Sequence, residues 1–347
     1  MLIVFYISGH GFGHASRDIE LINAVVAARP DVRIIARTNV PAWLFARARA
    51  TVDLQPIETD TGVVQIDSLR LDERQSARRA AAFYRTFDQR VDAEARVLRT
   101  AGADLVVGDI PPLAFAAAER ARVPSLAIGN FTWDWIYGVY PAFAELALEV
   151  LPTIRAAYAT ATRALRLPFH GGFEPMAAVT EDIPLIARRS LRDPADTRER
   201  LGVAGDRPLV LASFGAYGAP LPYADVSAGG EFTLLTVTRH PSQGLEYPDL
   251  VAAADVVISK PGYGIVSECI ANGTALLYSS RGRFIEYDVF VADMPRVLRC
   301  REISQEDLFA GRWADGVAAL LSQPQPAERL RVDGAEIAAA EVLKTAS

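Results

Sequence analysis

Two of the chain's four histidines, His10 and His14, lie in a single short loop, Ser8-Gly9-His10-Gly11-Phe12-Gly13-His14. An imidazole in such a place can take a proton from a hydroxyl near neutral pH. The interleaved glycines, Gly11 and Gly13 among them, let the backbone turn sharply and come close to a ligand. Their spacing is not that of a dinucleotide fingerprint. Either histidine could instead cap the following helix or pin the loop. Asp109 ends the apolar run Leu105–Gly108. A carboxylate at the end of a parallel strand could orient an imidazole and stabilise its protonated form. Standing before Ile110-Pro111-Pro112, it could equally cap a turn.

A second constellation lies in Val256–Gly273. The apolar run Val256-Val257-Ile258 has the character of a buried parallel strand, broken by Lys260-Pro261-Gly262-Tyr263-Gly264. Ile265–Asn272 then reads as helix, with Gly273 as its C-terminal cap. A glycine-rich loop feeding a helix start aims free N–H groups and the positive end of the dipole at one spot, which favours a phosphate or diphosphate. Glu268, about one turn inside, could accept hydrogen bonds from a ribose diol. A plain strand–turn–helix with a surface glutamate is the competing reading. Phe214-Gly215-Ala216-Tyr217-Gly218 is a further loop able to lie against phosphates. Arg281 or Arg283 could offset diphosphate charge and Glu286 could hold sugar hydroxyls, although a surface loop would also favour arginines. Trp133 and Asp134, in the aromatic stretch Asn130–Tyr137, suit a sugar or acceptor surface or else a packed plug.

These residues need strand ends to carry them. Strands are expected at Leu2–Ile7, Val32–Arg37, Val52–Ile57, Leu105–Gly108 and Ser125–Ile128, with helices between them, as in a doubly wound parallel sheet. Asp72–Thr100 reads as one long helix, its far face rich in arginine, and Phe143–Leu165 also reads as helical. A composition shift over Thr180–Arg207 marks a boundary. A second sheet follows, with Leu209–Ser213, Phe232–Thr238, Asp255–Lys260 and Ala275–Ser279. Between its first two strands the chain is short and rich in proline and glycine, with little room for a crossover helix. His240, past the second of these strands, has no assigned role.

The 347 residues fit two domains of roughly 150 residues each. A hydrophobic fraction of 50% allows both to bury cores, and a net charge of −6 argues against nucleic acid as the main partner. Lys260 and Lys344 are the only lysines, which draws attention to Lys260. Two cysteines, Cys269 and Cys300, give neither a disulfide framework nor a zinc site. The N-terminal apolar run lacks a basic flank and reads as a strand, not a signal peptide. No apolar run approaches the ~20 residues of a spanning helix. The expectation is a soluble cytoplasmic protein, and a homodimer is compatible with it.

Four stretches, in order, carry a resemblance: SGHGFGHASR (Ser8–Arg17), NFTWDWIYGVY (Asn130–Tyr140), KPGYGIVSE (Lys260–Glu268), and GRWADG with GAEIAA (Gly311–Gly316, Gly334–Ala339). They resemble GT-B glycosyltransferases, in the style of the peptidoglycan N-acetylglucosaminyltransferase. More closely, they are similar to the glycosyltransferase-like N-terminal half of plant arabinokinases. The kinase half of those proteins is absent, so sugar phosphorylation is not implied. The resemblance implies an α/β GT-B fold: two Rossmann-like, doubly wound parallel-sheet domains facing across a cleft. It implies an acceptor domain at 1–180, a linker at 181–207, a nucleotide-sugar domain at 208–333, and a C-terminal helix, 334–347, packing back on the first domain.

By the same resemblance, the chain would be a hexosyl- or pentosyltransferase using a nucleotide-sugar, most often UDP-linked, on an unidentified acceptor. Inversion without a bound metal or other cofactor is the family habit. His10 or His14, helped by Asp109, would deprotonate the acceptor. Gly215, Lys260, Gly262, Tyr263, Gly264, Ser267, Glu268, Arg281 and Glu286 would hold the donor. Gly11, Gly13, Trp133 and Asp134 would meet the acceptor. The Phe214-Gly215-Ala216 loop departs from the usual glycine pair. Two alternatives remain open: a nucleotide-sugar hydrolase or 2-epimerase of the same fold, and a silent nucleotide-sugar sensor or interaction protein.

Overall fold

The computed structural model describes residues 1–203, 207–215, 218–236 and 244–347. The chain forms two compact units. The first comprises Met1–Val64, Asp72–Ile186 and Arg331–Ser347; the second comprises Gln65–Leu71 and Ala187–Leu330. His240, Ala216, Tyr217 and the end of the expected strand Phe232–Thr238 lie outside the described residues.

The first unit holds a seven-stranded sheet of β1 (Leu2–Ile7), β2 (Arg33–Thr38), β3 (Val52–Pro56), β4 (Leu105–Asp109), β5 (Ser125–Phe131), β6 (Arg163–Gly171) and β7 (Thr180–Asp182). Its order is β3-β2-β1-β4-β5-β6-β7, and every pair is parallel. β1, β4 and β5 are buried along their whole length, as strands covered on both faces must be. From β1 the chain moves outward through β2 and β3, then returns to β4 and proceeds the other way. The order therefore reverses between β1 and β4, the place where open parallel sheets bind ligands at their carboxyl ends.

The second unit repeats this plan with β8 (Leu209–Ala212), β9 (Thr233–Thr236), β10 (Val256–Ser259), β11 (Ala275–Tyr278) and β12 (Cys300–Glu302). All pairs are parallel in the order β12-β11-β10-β8-β9, so the reversal falls between β8 and β10. Both motif loops thus emerge at reversal points.

Three expectations about elements are corrected. Asp72–Thr100 is two helices, Glu73–Tyr84 and Phe87–Ala101, because the chain breaks at Arg85–Thr86 while the apolar stripe continues across the break. Phe143–Leu165 is not one helix: Pro141–Leu146 and Val150–Tyr158 are helical, and Arg163 already begins β6, which runs on to Gly171. The short connection between β8 and β9 does hold a helix, Tyr223–Ala228. Among the described residues no helix is long and apolar enough to cross a membrane.

Candidate active site

Parallel pairing sets Ile7 beside Asp109, and the Ser8 amide donates to the Asp109 carbonyl at 2.9 Å. The loop after β1 is therefore fixed against the end of β4. The first helix, Gly13–Ala28, starts there and presents His14 in its opening turn and Arg17 one turn later. Asp109 accepts from both: His14 Nδ1 lies 2.7 Å from its Oδ1, and Arg17 Nε lies 2.5 Å from its Oδ2. Arg17 also donates to Asn130 Oδ1 at 2.9 Å, from the end of β5. All four side chains are buried.

The Nδ1–carboxylate separation of 2.7 Å assigns the imidazole proton to Nδ1. The Arg17 Nη2 atom, 3.0 Å from the same nitrogen, then faces an N–H and makes no hydrogen bond to it; its donor is used by Asp109. His14 Nε2 is left to accept a proton, the arrangement a general base needs. Burial alone would raise the Asp109 pKa, but Arg17 and His14 outweigh it and hold the carboxyl at about 2. Asp109 is therefore a fixed anion.

Two further acids border this group. Asp60, on the loop after β3, accepts from the Trp133 indole at 2.9 Å. Burial pushes its pKa up, while Ser8, His14 and Trp133 pull it down. Asp18 is buried on the first helix, and neither of its carboxylate oxygens has a hydrogen-bond partner among the described residues. Burial and then the Asp109 charge raise its pKa well above the usual range.

In the second unit the helix Tyr263–Asn272 starts at the end of β10. Gly262 is its N-cap and, as glycine, supplies no side-chain cap. The positive end of the helix dipole lies at this point. Arg281 reaches this point from the loop after β11: a Cβ on Gly262 would lie 3.8 Å from its Nη1. The guanidinium sits 3.5 Å over the Phe284 ring and 3.8 Å from Glu286 Oε2. Lys260 is half-buried beside them; desolvation and then Arg281 push its pKa down to about 7, against the pull of Glu286. Cations and a helix start converge here, which suits a diphosphate.

Glu268 is buried and accepts from Arg188 Nε at 2.5 Å. The Arg188 guanidinium lies 5.2 Å over the Tyr247 ring, and the Tyr247 hydroxyl donates to Ser213 Oγ at 2.8 Å. This chain of contacts links the helix after β10 to the end of β8 across the reversal point.

No protein-family model matches the chain. L-arabinokinase of Arabidopsis thaliana is 29% identical over 372 aligned residues, which cover 100% of this chain and 34% of that protein. The chain therefore spans about a third of the length of this curated relative. Among solved structures, the kitacinnamycin glycosyltransferase superposes with a TM-score of 0.62 at 18% identity, over 100% of this chain and 99% of the other. UGT89C1 of Arabidopsis thaliana, solved with UDP, gives 0.58 at 11% identity over 99% and 94%. A protein of Listeria monocytogenes described as a UDP-N-acetylglucosamine 2-epimerase gives 0.57 at 11% identity over 99% and 94%. The fold is GT-B.

Within each GT-B half the expected residues are distributed unevenly. His14 and Asp109 meet directly, whereas His10 packs edge-on to Trp133 with ring centroids 5.4 Å apart and its Nδ1 faces the Val63 amide at 3.4 Å. Gly11, with φ 76°, and Gly13 shape the loop between the two histidines. Trp133 and Asp134 do not form an open platform. Trp133 is fully buried and stacked on Tyr137, and Asp134 is buried and paired with Arg155. Sugar stacking on the Trp133 face is thereby ruled out at this position.

In the second unit, Lys260, Gly262, Gly264, Arg281 and Glu286 lie around one helix start, with Gly215 just past the end of the neighbouring β8. Tyr263 is buried, and the Ser267 hydroxyl donates to the Gly264 carbonyl at 3.0 Å, so neither is offered outward. Arg17, Asn130, Asp60 and Arg188 escaped the sequence reading. Arg17 left a usable trace, since three residues past His14 is the next position on the same helical face. Arg188 left none: 80 residues separate it from Glu268.

Proposed function

We propose that this chain is a glycosyltransferase that moves a sugar from a UDP-linked donor to an acceptor hydroxyl with inversion at the anomeric carbon. The observation that carries it is the buried His14–Asp109 pair at the β1/β4 reversal, with Nε2 left to accept a proton. His14 takes the hydroxyl proton as that oxygen attacks the anomeric carbon. The bond from that carbon to the diphosphate oxygen breaks, and UDP leaves with the electron pair. Asp109 holds the imidazole's orientation and offsets its new charge. The uncapped helix start at Gly262, with Lys260 and Arg281, supplies positive potential for the departing diphosphate. Glu286 takes sugar hydroxyls, and Glu268, fixed by Arg188, takes the ribose diol.

Thermal-shift screening with nucleotide-sugars, then mass spectrometry of lysate incubated with the best donor, identifies the acceptor. His14→Ala then lowers turnover by about 10²–10⁴-fold while UDP affinity stays within about twofold of wild type. Undiminished turnover in His14→Ala overturns the base assignment. Hydrolysis or 2-epimerisation would use the donor pocket alone. A base pair built in the other unit favours transfer, and release of free sugar as the sole product would reverse that choice.

A further inference from the structure

The segment Gln65–Leu71 belongs to the second unit although both its flanks, Val64 and Asp72, belong to the first. It is a small hairpin: Gln65 and Leu71 form an antiparallel bridge, and the Ile66 amide donates to the Arg70 carbonyl at 2.9 Å. Asp67 accepts from the Leu69 amide at 2.8 Å and shapes the tip. That tip, Ser68–Leu69, is buried. Leu69 joins the second unit's core beside Phe214, Leu221 and Trp313.

Ser68 grips the loop after β8 at two points. Its hydroxyl donates to the Phe214 carbonyl, and its amide donates to the Gly218 carbonyl at 3.3 Å. The Leu69 carbonyl abuts the loop after β11: a Cβ on Gly282 would lie 3.6 Å from it. In a trans peptide the C=O and N–H point in opposite directions. Holding the Phe214 carbonyl therefore fixes the direction of the Gly215 N–H, which has no hydrogen-bond partner among the described residues. These are the loops that carry Gly215 and Arg281.

We propose that Ser68 is a positioning residue for donor binding, its hairpin tip clamping the loop after β8 so that the Gly215 N–H stays aimed as a donor for a diphosphate oxygen. The role rests on the donor reading above, whereas the clamp itself does not. Ser68→Ala removes the hydroxyl with little change in volume. The UDP dissociation constant, by calorimetry, and the donor KM rise about tenfold, with kcat at saturating donor unchanged. Hydrogen exchange at the Gly215 and Gly218 amides quickens, while exchange in Tyr263–Asn272 does not. Ser68→Thr, which keeps the hydroxyl, restores both. Unaltered exchange at Gly215 and Gly218 in Ser68→Ala overturns the clamp, whatever UDP does. Faster exchange with unaltered UDP affinity overturns the positioning role. Wild-type protein that binds no UDP removes the donor reading on which that role rests.

Discussion

Neither carboxylate oxygen of Asp18 has a hydrogen-bond partner among the described residues, and the residue stands next to Arg17 and close enough to Asp109 to feel its charge. Its folded pKa lies above the unfolded value, so the folded state holds this proton more tightly. Stability from this group is present below the unfolded pKa and falls as pH rises from there. Asp18→Asn removes that fall. Thermal denaturation at pH 8 should show a midpoint raised by about 2–4 °C, with a smaller gain at pH 5. An equal gain at both pH values would mean that the carboxylate's charge is not the cause.

Lys260 has the opposite problem. Held at about 7, its ammonium is half lost near neutral pH, and a bound diphosphate would restore it. UDP affinity should therefore weaken about tenfold between pH 7 and pH 9, and Lys260→Gln should flatten that slope. In the unliganded protein, the cost of burying the charge is present below pH 7. It is relieved as pH climbs from 7 toward the ordinary lysine value.

At the scale of elements, the last helix, Gly334–Thr345, packs against the first, Gly13–Ala28, which carries His14 and Arg17. Its start is tied down by the backbone: Gly334 N donates to the Leu185 carbonyl at 3.0 Å, and Asp333 bridges Ile186. A Cβ on Gly334 would collide with the carbonyl oxygens of Pro184 and Leu185. Gly334→Ala should cost roughly 2–4 kcal/mol by chemical denaturation. It should also lower turnover through the first helix, without altering UDP affinity. A neutral Gly334→Ala would show that the Pro184–Leu185 backbone yields to the added methyl group.

Strand ends and glycine loops were legible in the sequence because each depends on a short local pattern. The loop after β1, the acid ending β4 and the uncapped helix after β10 all came from such patterns. The break at Arg85–Thr86 was hidden, since Phe83 and Phe87 keep helical spacing through it and both enter one buried cluster. Trp133 looked like a ligand platform because burial is a tertiary property. Asp60, which accepts its indole proton, comes from a loop 73 residues away.

For the whole molecule, mass action provides the broadest check. A ligand held only by the folded state at a hundredfold excess over its dissociation constant stabilises by about 2.7 kcal/mol. UDP should therefore raise the melting midpoint in proportion to the logarithm of its concentration, and Glu268→Ala should weaken that response. A flat response across a panel of nucleoside diphosphates would count against the second unit as a nucleotide site. The legible part at this scale was the repetition of one α/β plan. The excursion of Gln65–Leu71 into the second unit was invisible, because nothing in seven polar and apolar residues announces which core will receive them.

That excursion, with the return of Arg331–Ser347 to the first unit, makes the second unit a guest spliced into its host at two places. A chimera that exchanges the second unit by a single crossover near residue 187 would inherit a mismatched hairpin and a foreign terminal helix. Grafting a related second unit onto this scaffold calls for four junctions, at 64/65, 71/72, 186/187 and 330/331, moved together.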